Sequence, residues 1–169
     1  MATFWASEGH PLVDRLELSW PGRAAEILRR FDGQEPPRVV PGVPEVLDEL
    51  LGRGLRLAVV SSRRLPPLLR GLAAGGLEDR FPVVIGLETV HRPKPDPEGM
   101  LLAAERLEIP PSRVLVVGDR AVDMEAARRA GATGWPAAWC LPEGAEPMPC
   151  ALTTPAEVLL RLDGPAEPA

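Results

Sequence analysis

The sequence predicts an α/β fold, a parallel sheet covered by helices on both faces, and three observations carry that prediction. Short apolar runs of strand length alternate with segments whose apolar residues recur at helical spacing. Gly and Pro, 16 and 21 of the 169 residues, fall between those segments as punctuation and form no long biased runs. Apolar and charged contents of 45% and 25% are those of an ordinary globular chain long enough to bury one core. Strands alternating with helices are joined by right-handed crossovers, which build a doubly wound, three-layer sandwich. One domain is expected over residues 1–164, with residues 165–169 as a frayed tail.

From residue 21 the two patterns follow one another. Ala24, Ile27, Leu28 and Phe31 lie at helical spacing behind Pro21, a residue suited to a helix start. Val43, Val46, Leu47, Leu50 and Leu51 repeat the pattern, and Gly52 and Gly54 end it. Leu55 to Val60 then reads as a short buried strand. Leu65, Leu68, Leu69 and Leu72 mark a helix closed by Gly75 and Gly76, and Val83 to Ile85 a second strand. Met100, Ala103, Ala104 and Leu107 give a helix opened by Pro97, and Val114 to Val117 a third strand. Val122, Ala126 and Ala130 line the next helix, capped by Gly131. Ala137 to Leu141 is the expected fourth strand and Pro155 to Leu162 the last helix.

Composition removes several classes. The net charge of −5 lacks the basic surface of a general nucleic-acid binder. Arg63, Arg64 and Arg70 form a small basic cluster, read as a solvated face. Cys140 and Cys150 have neither CxxC spacing nor the count of a disulfide framework, which points to a reducing cytoplasm. No basic start leads into an apolar core and no apolar run reaches bilayer length, so a cytoplasmic protein without membrane contacts is expected. One skew stands out: of 19 basic residues, Lys94 alone is lysine. A chain that writes Arg everywhere else marks that position as one where Arg would not serve.

In a sheet of this kind, ligands bind outside the carboxyl ends of the strands. Three predicted strand ends carry polar groups. Ser61 and Ser62 follow the first apolar run, and Arg92-Pro93-Lys94-Pro95-Asp96-Pro97 follows the second. Gly118 and Asp119 follow the third, with Asp123 one helical turn further on. Each has a plain reading: turn chemistry for Ser61, a helix cap for Asp119, a solvated first-turn acid for Asp123, a surface residue for Lys94. Together they suit a phosphate with a divalent cation. A hydroxyl donates to a phosphate oxygen, an ammonium neutralises its charge, and carboxylates are hard oxygen ligands for Mg²⁺.

Two stretches carry a family resemblance. PGVPEVLDELLGRGLRLAVVSS (residues 41–62) and HRPKPDPEGMLLAAERLEIPPSRVLVVGDRAVDMEAARRAGA (residues 91–132) are similar to motifs two to four of the haloacid-dehalogenase-like (HAD) superfamily, nearest its phosphoglycolate-phosphatase-like branch. The resemblance runs from about Val40 to Leu162. It implies a Rossmann-like fold, Mg²⁺ as cofactor and a small phosphorylated molecule as partner. By this match Ser61, with Ser62 beside it, contacts phosphate. Lys94 is the motif-three lysine, Asp119 the Mg²⁺ ligand and Asp123 the neighbouring acid of motif four, expected as the second carboxylate at the metal. The stretch of about residues 15–38 leaves room for a very small helical cap.

The family's first motif, DxDGT, supplies a nucleophilic Asp and an acid/base Asp. Here no Asp precedes Asp14, and residues 3–14 resemble an altered version of the motif behind a short first strand at Ala2–Trp5. Anchored on Glu8-Gly9, Ala6 stands at the nucleophile position and Glu8 at the acid/base position. Anchored on Leu12-Val13-Asp14, Ser7 and Gly9 stand there instead. The expectation is a HAD-like phosphohydrolase that is weak or inactive. The alternatives are a non-catalytic phosphate- or Mg²⁺-binding module on the same scaffold, or a functional first motif encoded upstream of Met1.

Overall fold

Two parallel pairs of strands set the frame of the computed structural model. It describes residues 38–141 and 144–164, together with Ser19, residues 21–23 and residues 25–27. Ala58–Val60 (β1) pairs with Val83–Ile85 (β2), and Leu115–Gly118 (β3) with Thr133–Pro136 (β4). The helices are Val43–Gly52 (α1) ahead of β1, Leu65–Ala74 (α2) after it, Glu98–Arg106 (α3) after β2, Ala121–Ala130 (α4) after β3, and Glu157–Asp163 (α5). Among the described residues no helix is long and apolar enough to cross a membrane.

The two faces of the sheet can be told apart from one strand. Gly134 of β4 lies against Met124 and Ala127 of α4, so close that a Cβ there would come within 3.0 Å of the Met124 sulfur. Side chains alternate along a strand, so Trp135 points to the opposite face. There it packs with Val46 and Leu50 of α1 and Val158 and Leu159 of α5. Helices therefore cover both faces, the three-layer α/β arrangement the sequence predicts. On the α3–α4 side, Met100 packs with Ala126 and Ala130 against Val60 of β1 and Val116 of β3, tying the two strand pairs together. Ile85 and Val83 form a further core cluster with Ala103 of α3 and Leu107 just past its end. β1 and β3 both line one cleft, and among the described residues they make no ladder with each other.

Three strand boundaries differ from the sequence reading. β1 begins at Ala58, not Leu55, because the chain turns through left-handed Gly54 (φ 77°) and the Leu55 amide closes α1 by donating to Leu50 O. β3 is displaced by one residue, since the Val114 amide is spent on Pro111 O in a preceding turn. The fourth strand is Thr133–Pro136 and not Ala137–Leu141. Gly131 (φ 75°) ends α4 so tightly that the Thr133 amide donates at once to Val114 O. Ala137 makes only an isolated bridge to Leu152. A Thr-Gly-Trp-Pro strand carries Gly and Pro, which weaken the pattern that marks strands in sequence.

The expected first strand at Ala2–Trp5, the positions Ala6, Ser7, Glu8, Gly9 and Asp14, and the tail at residues 165–169 lie outside the described residues. So does most of the expected cap at about residues 15–38; within it, Ile27 N donates to Arg23 O in a helical bond.

Candidate phosphate-binding site

Lys94 is delivered by a loop fastened from the first turn of α3. Both oxygens of Glu98 accept backbone amides, His91 N at 2.8 Å and Arg92 N at 3.0 Å, while Asp96 accepts Glu98 N at 3.0 Å. Burial pushes the Glu98 carboxyl up, but the two amides and the Arg92 guanidinium outweigh it and hold the group below its ordinary value. From this loop the Lys94 ammonium reaches two acceptors, Val60 O at 3.0 Å and Asp123 Oδ1 at 2.5 Å. The first follows from strand geometry. Ser61 N donates to Ile85 O, so Val60 aims its backbone groups away from β2, and its carbonyl is open to the ammonium.

Asp123 is held from both sides. Its second oxygen accepts Arg120 N at 3.1 Å at the start of α4. Gly118 makes room for it, since a Cβ there would stand 2.7 Å from the Asp123 Cβ. Side-chain exposures of 11% for Lys94 and 8% for Asp123 make this a buried ion pair. The arrangement gives Asp123 a definite task, anchoring Lys94 and starting a helix.

Ser61 sits at the end of β1 with its Oγ accepting Arg63 N at 3.0 Å, which leaves its O–H hydrogen to donate. Asp119 follows β3, and among the described residues its carboxylate has no hydrogen-bonding or ion-pair partner. The Asp119 charge is felt at Cys140, whose thiol is pushed up first by partial burial and then by that charge. Ser61, Ser62, Lys94, Asp119 and Asp123 all line one cleft, so the fold brings together the residues picked from separate strand ends. Ser61, Ser62, Lys94 and Arg92 also share a narrow recess.

The carboxylates bear on a metal. Among the described residues no group of three or more His, Cys, Asp or Glu side chains is placed to hold one. Asp119 is the open carboxylate at the strand ends. Mg²⁺ is commonly bound by one or two carboxylates, with water and substrate phosphate completing the octahedron, and Asp119 fits that role as a single anchor.

One expectation is corrected, and one residue was missed. Arg64 does not belong to a solvated basic face: it is 5% exposed and its Nε donates to Glu88 Oε1 at 2.7 Å. Glu88, in the loop after β2, also accepts Leu65 N at 2.7 Å. Its sequence signal is faint, an acid three residues past a strand end, and its partners are more than twenty residues away.

The chain is similar to known proteins. The haloacid dehalogenase-like hydrolase family matches residues 23–134. The chain is 40% identical over 107 residues to a phosphoglycolate phosphatase of Nitrosospira multiformis, which covers 63% of this chain and 45% of that protein. It is 35% identical over 100 residues to the pyrophosphatase PpaX of Listeria monocytogenes, covering 59% of this chain and 46% of that protein. The chain thus spans about half the length of the curated relatives it matches. A solved HAD phosphatase from Thermococcus onnurineus is similar with a TM-score of 0.66 and 29% identity, over 82% of this chain and 64% of that one. With the family match covering most of its length, the chain belongs to the haloacid dehalogenase-like hydrolases.

Proposed function

We propose that this chain binds a small phosphorylated molecule together with Mg²⁺ at the ends of β1 and β3, and that its turnover as a phosphohydrolase is weak or absent. The observation that carries the binding half is the convergence of a donating Ser61 hydroxyl, the Lys94 ammonium and the open Asp119 carboxylate on one cleft. Ser61 would donate to a phosphate oxygen, and Lys94 would neutralise its charge without leaving Val60 O and Asp123. Asp119 would hold Mg²⁺, which when bound stabilises negative charge on the phosphoryl group.

The turnover half rests on residues 3–14. With Ala6 or Ser7 at the nucleophile position, and Glu8 at the acid/base position in one register, residues 3–14 offer no carboxylate where the family's nucleophile stands. Losing a covalent catalyst removes several powers of ten in rate, while electrostatic stabilisation leaves a remnant. The relatives' names, a phosphoglycolate phosphatase and a pyrophosphatase, support a compact phosphorylated ligand. The alternative use of the same site is regulatory binding with no chemistry.

The test is Mg²⁺-dependent hydrolysis of a generic aryl phosphate by the native chain, Ser61→Ala, Lys94→Ala and Ala6→Asp, with thermal melts in phosphate and Mg²⁺. We expect slow or no native turnover and a melting temperature raised by phosphate, with a smaller rise in Ser61→Ala. At a hundredfold excess over Kd the ligand adds about 2.7 kcal/mol. Rapid native turnover abolished by Lys94→Ala would sink the impaired reading, and melts indifferent to both ligands would sink the binding reading. A gain of turnover in Ala6→Asp places the chain among catalysts that lost one group; none in any variant, with binding intact, favours the regulatory use.

A further inference from the structure

Glu88 lies outside every motif discussed above, yet its carboxylate is almost fully withdrawn from water and fully occupied. One oxygen accepts Arg64 Nε at 2.7 Å and the other accepts Leu65 N at 2.7 Å, with side-chain exposures of 13% for Glu88 and 5% for Arg64. It is one of a series of ties between the segment after β1 and the segment after β2. Ser61 N donates to Ile85 O at 2.9 Å, and Leu87 N donates to Arg63 O at 3.0 Å. Gly86 lies so close to Leu65 that a Cβ would meet its backbone nitrogen and Cα at 2.9 Å.

We propose that Glu88 is a positioning residue for anion binding, holding the 61–65 loop so that the Ser61 hydroxyl faces the ligand with its hydrogen free. The proposal rests on the reading of Ser61 as the phosphate contact. The route is short. Glu88 fixes Arg64 and Leu65, and Leu87 fixes the carbonyl of Arg63. The Arg63 amide is then held where it donates to Ser61 Oγ at 3.0 Å. With that lone pair engaged, the hydroxyl hydrogen is turned outward as a donor. A carboxylate suits this post because it is an acceptor at both oxygens and compensates the buried guanidinium. Remove its charge and the ion pair that ties Arg64 to the segment after β2 is lost, which loosens the loop.

A double-mutant cycle on the full chain tests this, with inorganic phosphate as the titrant in the presence of Mg²⁺. Ser61→Ala is expected to weaken phosphate binding by about tenfold or more, the loss of one hydrogen bond to a charged group. Glu88→Gln keeps an acceptor for Leu65 N but loses the charge. It is expected to weaken binding by about five- to tenfold in the native background and to cost nothing further when Ser61 is already Ala. A purely structural role would lower the melting temperature without that coupling. Amide exchange gives a second readout: Glu88→Gln should speed exchange at Arg63 and Leu65 and leave β3 and α4 unchanged.

Phosphate affinity within twofold of native in Glu88→Gln, an additive cycle, or unchanged exchange at Arg63 overturns the positioning role alone. Failure of the native chain to bind phosphate, or indifference of binding to Ser61→Ala, overturns the parent reading and the proposal with it. Should Glu88→Gln not fold, Arg64→Met/Glu88→Gln, which removes both charges of the pair, carries the same expectations.

Discussion

At the scale of single residues, the lone lysine acquires a physical reason. Lys94 fits between a strand-end carbonyl and a buried carboxylate, a space for a compact ammonium with three donors. Lys94→Ala should cost about 3–5 kcal/mol by urea denaturation, because it strands the Asp123 charge in the interior. Lys94→Met/Asp123→Leu, which removes both charges, should recover much of that loss. If Lys94→Ala is as stable as native, the ion pair is not the buried anchor described here. Gly118→Ala should destabilise by about 1–3 kcal/mol through its clash with Asp123, and alanine at exposed Gly52, which has nothing nearby, should not. Cys140 offers a probe of Asp119. In a Cys150→Ser background, Asp119→Asn removes one of the two influences holding the thiol up, so alkylation near pH 8 should quicken modestly. Unchanged alkylation would separate the two side chains.

At the scale of elements, the site is held by short loops stapled to helix starts. Glu98 makes the Lys94 loop part of α3, and Glu88 makes the Ser61 loop part of its neighbour across the sheet. The Glu98 staple has a pH signature. Its folded carboxyl lies below the ordinary value of 4.5, so its contribution is full above that value. The contribution fades as pH falls through the lower, folded value. Glu98→Gln should therefore flatten the acid limb of stability below about pH 4.5, measured by denaturant midpoints in the native and variant chains. An identical acid limb in both would assign the loop's order to other groups. The elements themselves were mostly readable, since helical spacing locates α1, α2, α3 and α4 and apolar runs locate β2 and β3. β4 escaped because a Gly packed under Met124 and a Pro at the strand end obey tertiary space rather than strand propensity.

At the scale of the whole molecule, one helical layer joins two strand pairs. Met100 sits where α3, α4, β1 and β3 meet, with 5% exposure. Met100→Ala should cost about 2–5 kcal/mol, and it should lower phosphate affinity as well if the strand ends move relative to one another. Calorimetric titration beside the denaturation curve separates the two effects. The sequence by itself determined the α/β class, the alternation of elements and the positions of Ser61, Lys94, Asp119 and Asp123. Each of those rests on local periodicity or on a motif a few residues long. Only the tertiary structure decided what the groups do to one another. It placed Asp123 on Lys94, turned Arg64 inward onto Glu88 and left Asp119 open at the cleft. The reason is distance along the chain: Lys94 and Asp123 are 29 residues apart, Arg64 and Glu88 are 24. A pairing over such separations is set by which strand ends the fold brings side by side, and no local pattern records it.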